Sequence, residues 1–416
     1  MLTLPPMTRM TPMQAQPMPE GGGASWRSPS PEPVSGPDAT LDWLCREAPR
    51  LPTIAEVLEG LSLRLLAEGL PIVRTWHGTL PVHPLVFARG WSWERGQKGA
   101  EDVISQEGRS VPLEHSSPQH RVRDADTRLR LRLDTPAAPA YPQLARLYEA
   151  GATDYVVYGL HGGRVRASLS FTTDAPGGFT EAHLARLERV RSYAGVTLQC
   201  FHLEDLAATL LGTYLGAGPG ARVLNGQVHR GDGETVRAAT WFCDLRGFTS
   251  ASESLPMAEL LLRLNDWFEA MVGAVEAHGG EVLKFMGDGM LATFTGPDAR
   301  LACSAAFKAA KDGEARIATL NKRHDRRGRP IEFGLALHYG DVMYGNIGAP
   351  ARLDFTVIGP VVNRAARLQA LTASVGRTIV VSDTFAALCD VPMVSLGLHT
   401  LKGLPEPLEV YTPAFD

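Results

Sequence analysis

The apolar positions of the first two hundred residues change period several times. Between Leu51 and Gly69, the leucines Leu58, Leu61, Leu65 and Leu66 recur at helical spacing and predict a helix. Tyr155–Tyr158 and Val165–Phe171 read as two strands, and His161-Gly162-Gly163 supplies the permissive backbone of a hairpin between them. Thr180 stands as an N-cap before a long helix. Its apolar positions Leu184, Leu187, Val190, Val196, Leu198, Phe201, Leu206 and Leu210 run towards Tyr214, and Gly216–Gly220 is expected to break it.

From about residue 237 the pattern shifts. Ala238–Cys243 reads as a buried strand, and Pro256–His278 as an amphipathic helix ended by Gly279-Gly280. Glu281–Met286 and Met290–Phe294 are short strands joined by Gly287-Asp288-Gly289. A helix at about 298–323, a strand at Ile331–His338, a hairpin-like stretch at 341–358 and a helix at 360–372 follow. Strands and helices mix without a strict βαβ rhythm, which predicts an α+β fold.

The 416 residues suggest two or three domains. Residues 1–40 are rich in Pro, Gly, Met and Ser, bury too little apolar surface to offset ordering entropy, and are expected to be disordered. A net charge of -4 carries no basic excess, so no nucleic-acid partner is expected. No window approaches the roughly 18–20 unbroken apolar residues that span a bilayer. The N-terminus lacks an apolar segment behind a basic one, so no signal peptide is read and a cytoplasmic location is expected. Cys45, Cys200, Cys243, Cys303 and Cys389 lie far apart, which suggests neither a zinc ribbon nor a disulfide framework.

Two aspartates carry candidate chemistry. Asp244 ends a buried strand in Phe242-Cys243-Asp244-Leu245-Arg246-Gly247-Phe248-Thr249, and Asp288 tips a hairpin. Carboxylates at a strand end and on an adjacent tight turn can converge on a hard cation such as Mg²⁺. Gly247 and Thr249, ahead of a helix, suit an anion cradle of backbone N–H groups. Taken singly, a helix cap and a turn former account for the two aspartates. Asn363 and Arg367 are four apart on a predicted helix and share a face that suits a ribose or phosphoryl group; a solvated face is the alternative, and the one adopted for Arg364. Lys402, before Gly403, means nothing by itself.

Together, FCDLRGFT, KFMGDGMLATF, HYGDVMYGNIG, FTVIGPVVNRAARL and LKGL resemble, in order and approximate spacing, the catalytic domain of class III adenylyl and guanylyl cyclases over residues 237–412. The resemblance implies a ferredoxin-like, palm-type domain that converts ATP to 3′,5′-cyclic AMP and pyrophosphate with two Mg²⁺ or Mn²⁺ ions. It implies metal positions at Asp244, Leu245 and Asp288, with Gly247, Phe248 and Thr249 on the substrate. It implies that Lys284 contacts the purine, Asn363 positions ribose, Arg367 stabilises charge on the transferring phosphate and Lys402 binds phosphates. It also implies a homodimer whose two sites each draw residues from both subunits. Adenine presents an acceptor at N1 and a donor at N6, so Lys284 as donor and Thr356 as acceptor favour ATP over GTP. Many family members carry Asp where Thr356 stands. Thr there resembles the bacterial and soluble subclass stimulated by bicarbonate. Pro360 departs from an acidic residue common at that place. A guanylyl cyclase and a catalytically silent nucleotide-binding sensor are the alternatives; the GG(D/E)EF signature of diguanylate cyclases is absent.

Residues 50–205 resemble, in element order, the GAF-type sensor fold, an α/β domain that would bind an unknown small molecule or only dimerise. Trp76, Trp91 and Trp93 are read as core or dimer-face residues, His83 as a turn histidine, and Cys45 and Cys200 as inert thiols. The basic run Lys322–Arg329 is read as a solvated loop. Residues 206–236 are then a linker through which the upstream domain regulates the downstream one.

Overall fold

The computed structural model describes residues 38–105, 117–123, 127–134, 141–162, 165–323, 330–403 and 406–414. The expected disorder of residues 1–40 falls almost wholly outside these, as do residues 324–329 of the basic run.

The first half builds α1 (Ala39–Arg46), α2 (Ile54–Ala67), β1 (Ile72–Thr79), β2 (Val86–Glu94), β3 (Ala100–Ser105), α3 (Pro118–Arg123), β4 (Arg128–Arg132), α4 (Pro142–Glu149), β5 (Asp154–Gly162), β6 (Val165–Thr173) and α5 (Glu181–Leu215). Its six strands form one antiparallel sheet in the order β3-β2-β1-β6-β5-β4. The stripe read for α2 packs, and so does the first part of the one read for α5, whereas Val196 and Leu210 of α5 are exposed. Leu58, Leu61 and Leu65 of α2 and Leu184, Leu187, Val190 and Leu198 of α5 join Trp91 and Trp93 in one core. Thr180 caps α5, accepting from the His183 N–H at 3.2 Å. His83 is a turn residue whose Nδ1 accepts from Leu85 N–H and Val86 N–H.

A histidine pair lies where α5 crosses this sheet. His77 Nδ1 lies 3.0 Å from the Ser168 carbonyl and its Nε2 lies 2.8 Å from His202 Nε2. His77 therefore donates from Nδ1 and accepts at Nε2, the tautomer its hydrogen bonds require. Trp91 stacks on His77, and Arg89, ion-paired to Asp205, lies over the Trp91 ring. Burial, then the neighbouring His202, holds His77 well below the ordinary imidazole range, and burial pushes His202 down to about 4. Depressed folded values mean stability that is full above the unfolded value near 6.5 and is lost as pH falls towards 4. The melting temperature is expected to drop by about 5 °C between pH 7 and pH 5 on account of this pair. His77→Phe with His202→Phe should flatten that slope whatever its absolute melting point; an unchanged slope would count against the pair as its source.

Beyond α5 come α6 (Ala217–Leu224), β7 (Gly233–Leu245), α7 (Phe248–Ser254), α8 (Met257–Ala277), β8 (Glu281–Met286), β9 (Gly289–Phe294), α9 (Ala299–Arg323), β10 (Phe333–Ala349), β11 (Arg352–Ile358), α10 (Pro360–Ser374), β12 (Ile379–Ser382), α11 (Asp383–Ala386), β13 (Met393–His399) and β14 (Leu408–Pro413). The second sheet runs β13-β14-β12-β10-β7-β9-β8, with β11 paired to β10. Alternation along β7 sends Ala239, Trp241 and Cys243 into a core with α8 and α9, and Ala238 and Phe242 to the opposite face.

The glycine-rich segment breaks α5 as expected, at Gly216 with φ +95°, and residues 217–224 then form a second helix, α6. Gly218 and Pro219 fall in its first turn, where proline has no intrahelical bond to lose. The hairpin expected at 341–358 is present as β10 with β11, but its first arm continues the expected strand, so that β10 is one strand of 17 residues.

Candidate active site

β7 delivers Asp244 at its C-terminal end, with Asp244 opposite Gly334 and Cys243 opposite Met290 in the two antiparallel ladders. The β8–β9 turn packs against that end. A side chain at Gly289 would sit 3.2 Å from the Cys243 carbonyl and 3.3 Å from Asp244 Oδ1. The turn is pinned by buried Trp267, whose Nε1 donates to the Asp288 carbonyl at 3.0 Å. The two aspartates are thereby brought together. Burial, and then the hydrogen bonding and charge of Asp288, push the Asp244 carboxyl up to about 7. Its Oδ1 is buried with no hydrogen-bond partner.

That combination fits a hard divalent cation. A buried carboxylate oxygen without a donor, beside a second carboxylate, leaves two negative charges whose repulsion a cation would reverse. Among the described residues no group of three or more His, Cys, Asp or Glu could hold a metal. Two carboxylates, with Leu245 closing the strand, match the sparse set that Mg²⁺ takes when phosphates complete its shell.

After Asp244 the chain is held firmly. The Arg246 side chain donates to the Thr372 and Arg377 carbonyls at 3.1 and 2.7 Å. Gly247 adopts φ +70°, the left-handed turn that lets α7 start at Phe248 with Thr249 in its first turn. A cavity of about 490 Å³ adjoins this segment, lined by Leu245, Gly247, Phe248, Leu260, Arg263 and Glu332.

The remaining candidates form a second group. Lys284, on β8, is ion-paired with Asp354 of β11. Thr356, two residues on and so on the same side of β11, is 7% exposed. Asp354 was not singled out in the sequence, because its partner lies 70 residues away and nothing local marks the pairing. Asn363 and Arg367 are both exposed on one face of α10, while Ala365, Leu368 and Thr372 face the sheet. Pro360 occupies the first turn of α10, where its fixed φ suits a helix start. Lys402 is exposed in the turn before Gly403, whose side-chain position would lie 3.9 Å from Arg367 Nη2. Among the described residues, no hydrogen bond or ion pair joins Asn363, Arg367 or Lys402 to Asp244 or Asp288.

α10 also fixes the spacing of the two groups. Its C-terminal turn touches Arg246 through Thr372. Asn363 lies nine residues earlier, about 13 Å away along the helix axis.

The family model for the adenylate and guanylate cyclase catalytic domain matches residues 234–412. An adenylate cyclase from Anabaena cylindrica is 32% identical over 195 residues, 44% of this chain and 37% of that protein. Adenylate cyclase 1 from Rhizobium meliloti is 31% identical over 177 residues, 41% of this chain and 26% of that protein. The chain thus spans about a third of the length of these curated relatives. A crystal structure of an adenylyl cyclase from P. aeruginosa is 28% identical, with 43% of this chain and 94% of that one covered and a TM-score of 0.39. No helix among the described residues is long and apolar enough to cross a membrane. Asp244 ends the strand that opens the family match, Asp288 tips the turn beside it, and residues 234–412 are a class III adenylyl/guanylyl cyclase catalytic domain.

Proposed function

We propose that this chain is an adenylate cyclase that works as a homodimer and is regulated by its upstream, GAF-like half. The observation that carries the reading is the Asp244–Asp288 pair, with its partnerless buried oxygen, at the end of the central strand. Two divalent cations, Mg²⁺ or Mn²⁺, would supply Lewis-acid activation of the ribose 3′-hydroxyl and neutralise triphosphate charge. Asp244 and Asp288, with Leu245, would hold them. The backbone of Gly247, Phe248 and Thr249 would cradle the phosphates. In the reaction the 3′-oxygen bonds to the α-phosphorus, the bond to pyrophosphate breaks and the hydroxyl proton is released. Arg367 stabilises charge on the transferring phosphate, Asn363 orients the ribose and Lys402 binds the phosphates.

A second copy of the chain supplies what one copy leaves apart. Asn363 and Arg367 are exposed, with no side-chain hydrogen bond or ion pair among the described residues, while Phe285 and Ile358, 52% and 48% exposed, flank Lys284 and Thr356 as apolar surface for a partner. For the base, Lys284 donates to adenine N1 and Thr356 accepts from N6, with Asp354 holding the ammonium in place. Bicarbonate stimulation belongs to the same reading through Thr356, with chloride as the control.

The deciding assay is purified protein with Mg²⁺ or Mn²⁺ and either ATP or GTP, followed to the cyclic product. Cyclic AMP from ATP is expected; cyclic GMP alone would turn the reading to a guanylyl cyclase, and neither product to a silent sensor. Lys284→Glu is expected to lower kcat/KM for ATP about a hundredfold, because a carboxylate would face the N1 acceptor where a donor stood. Unaltered ATP turnover in that variant would show that the base is read elsewhere.

A further inference from the structure

Guanine needs an acceptor for its N1–H and its 2-amino group, and an ammonium is a donor only. With Lys284 alone, the base site would refuse GTP. The fold adds the missing acceptor. β8 pairs with β9 and β11 with β10, and where β8 and β11 come together the Asp354 carboxylate ion-pairs with the Lys284 ammonium. A donor and an acceptor therefore stand side by side, supplied by two strands 70 residues apart.

Both charges stay open to a ligand. Side-chain exposure is 33% at Lys284 and 53% at Asp354. Asp354 Oδ2 takes the Lys284 bond, and Oδ1 has no hydrogen bond among the described residues. Phe355 and Val357 point the other way, into an apolar cluster with Leu283, which anchors β11 and turns Asp354 outwards. Thr356 lies on the Asp354 side, and its hydroxyl can either donate or accept.

We propose that the chain also cyclises GTP, because Asp354 gives the base site the acceptor that guanine needs. Guanine O6 accepts from Lys284, and the N1–H and the 2-amino group donate to the two oxygens of the Asp354 carboxylate. These two donors are adjacent and point the same way, the arrangement a carboxylate meets with both oxygens at once. Thr356, the acceptor for the 6-amino group of adenine, turns its hydroxyl round to donate to O6. The chemistry is that of ATP: the ribose 3′-oxygen bonds to the α-phosphorus and the bond to the β-phosphate oxygen breaks. Pyrophosphate leaves with the electron pair, the 3′-hydroxyl proton passes to water, and the other product is 3′,5′-cyclic GMP. The turnover half of this proposal rests on the cyclase reading; the recognition of guanine does not.

The test gives the full chain, with Mn²⁺, ATP, GTP or inosine triphosphate, which is GTP without its 2-amino group. GTP should yield cyclic GMP with kcat/KM within about a hundredfold of that for ATP, since a base site that lacks a needed partner discriminates by about 10⁴. GTP should also exceed inosine triphosphate by about tenfold, the worth of one charge-assisted bond. Asp354→Ala should lower kcat/KM about thirtyfold for GTP and about threefold for ATP, and make GTP and inosine triphosphate equal. Asp354→Glu, which keeps a carboxylate, should recover part of the preference for GTP over inosine triphosphate. Damage to β11 alone would lower all three substrates together. Equal losses for ATP and GTP in Asp354→Ala overturn the proposal, as does a preference for GTP over inosine triphosphate that survives the substitution. So does a parental GTP value about a thousandfold or more below that for ATP. The α,β-methylene analogues of the three nucleotides bind without turning over, so calorimetry reads the same ratios as Kd. If no nucleotide gives a cyclic product, the cyclase reading fails, and the analogue ratios still decide whether Asp354 recognises guanine.

Discussion

Asp288→Asn is expected to lower cyclic nucleotide synthesis about a thousandfold while the chain stays folded, and Asp244→Asn as much, because loss of metal-assisted charge stabilisation is worth several kcal/mol. The amide keeps the shape of each side chain and removes the charge that a hard cation requires. Stability should move the other way. Without metal, burial and then Asp288 hold the Asp244 carboxyl at about 7, above its unfolded value near 4. A raised acid weakens the folded state once the pH exceeds the unfolded value, and the loss grows until the pH passes about 7. At pH 8 in chelator, either variant is therefore expected to melt at or above the parent, by about 2–4 °C. Mg²⁺ or Mn²⁺ should then raise the melting point of the parent and leave the variants unmoved. Near-normal turnover in a folded variant ends the metal-ligand assignment. Melting below the parent in chelator would show that the two carboxylates do not repel each other in the metal-free protein.

The two aspartates were legible because local rules place them. A run of buried positions ending in a polar one marks a strand end, and Gly-Asp-Gly between two short strands marks a tip. The elements around them followed for the same reason: α8, α9 and α10 lie within a few residues of their expected bounds. What stayed hidden depends on distant partners. Gly345, towards the end of β10, is required because Asp232 passes so close that a side chain there would meet its carbonyl at 2.2 Å. Gly218 and Gly220 likewise answer to Glu281 and to α5 instead of marking loose chain. Asp354 could not be told from any exposed acid until β11 and β8 came together to place it on Lys284. The stripe on α5 is half legible: it reads as a single face, whereas the structure turns Leu184, Leu187, Val190 and Leu198 inward and Val196 and Leu210 outward.

Two inactive proteins, Asp244→Asn and Arg367→Ala, are expected to regain activity when mixed. The geometry of α10 motivates the experiment. Its C-terminal turn is tied to the Asp244 end of the sheet through Arg246 and Thr372, its first turn with Asn363 lies about 13 Å further along, and Arg367 is exposed between them. If each site takes its carboxylates from one chain and Asn363 and Arg367 from the other, a heterodimer of the two variants collects both lesions in one site and leaves its second site intact. Random exchange of equal amounts makes half of the dimers mixed, and each carries one working site of two, so the mixture should reach about a quarter of parental activity per chain. Against an Asp244→Asn background about a thousandfold down, that is a rise of more than a hundredfold, far outside assay error. Differently tagged chains show whether exchange has occurred. Variants that copurify as mixed dimers and remain as inactive as either parent variant would mean that each chain builds its site alone.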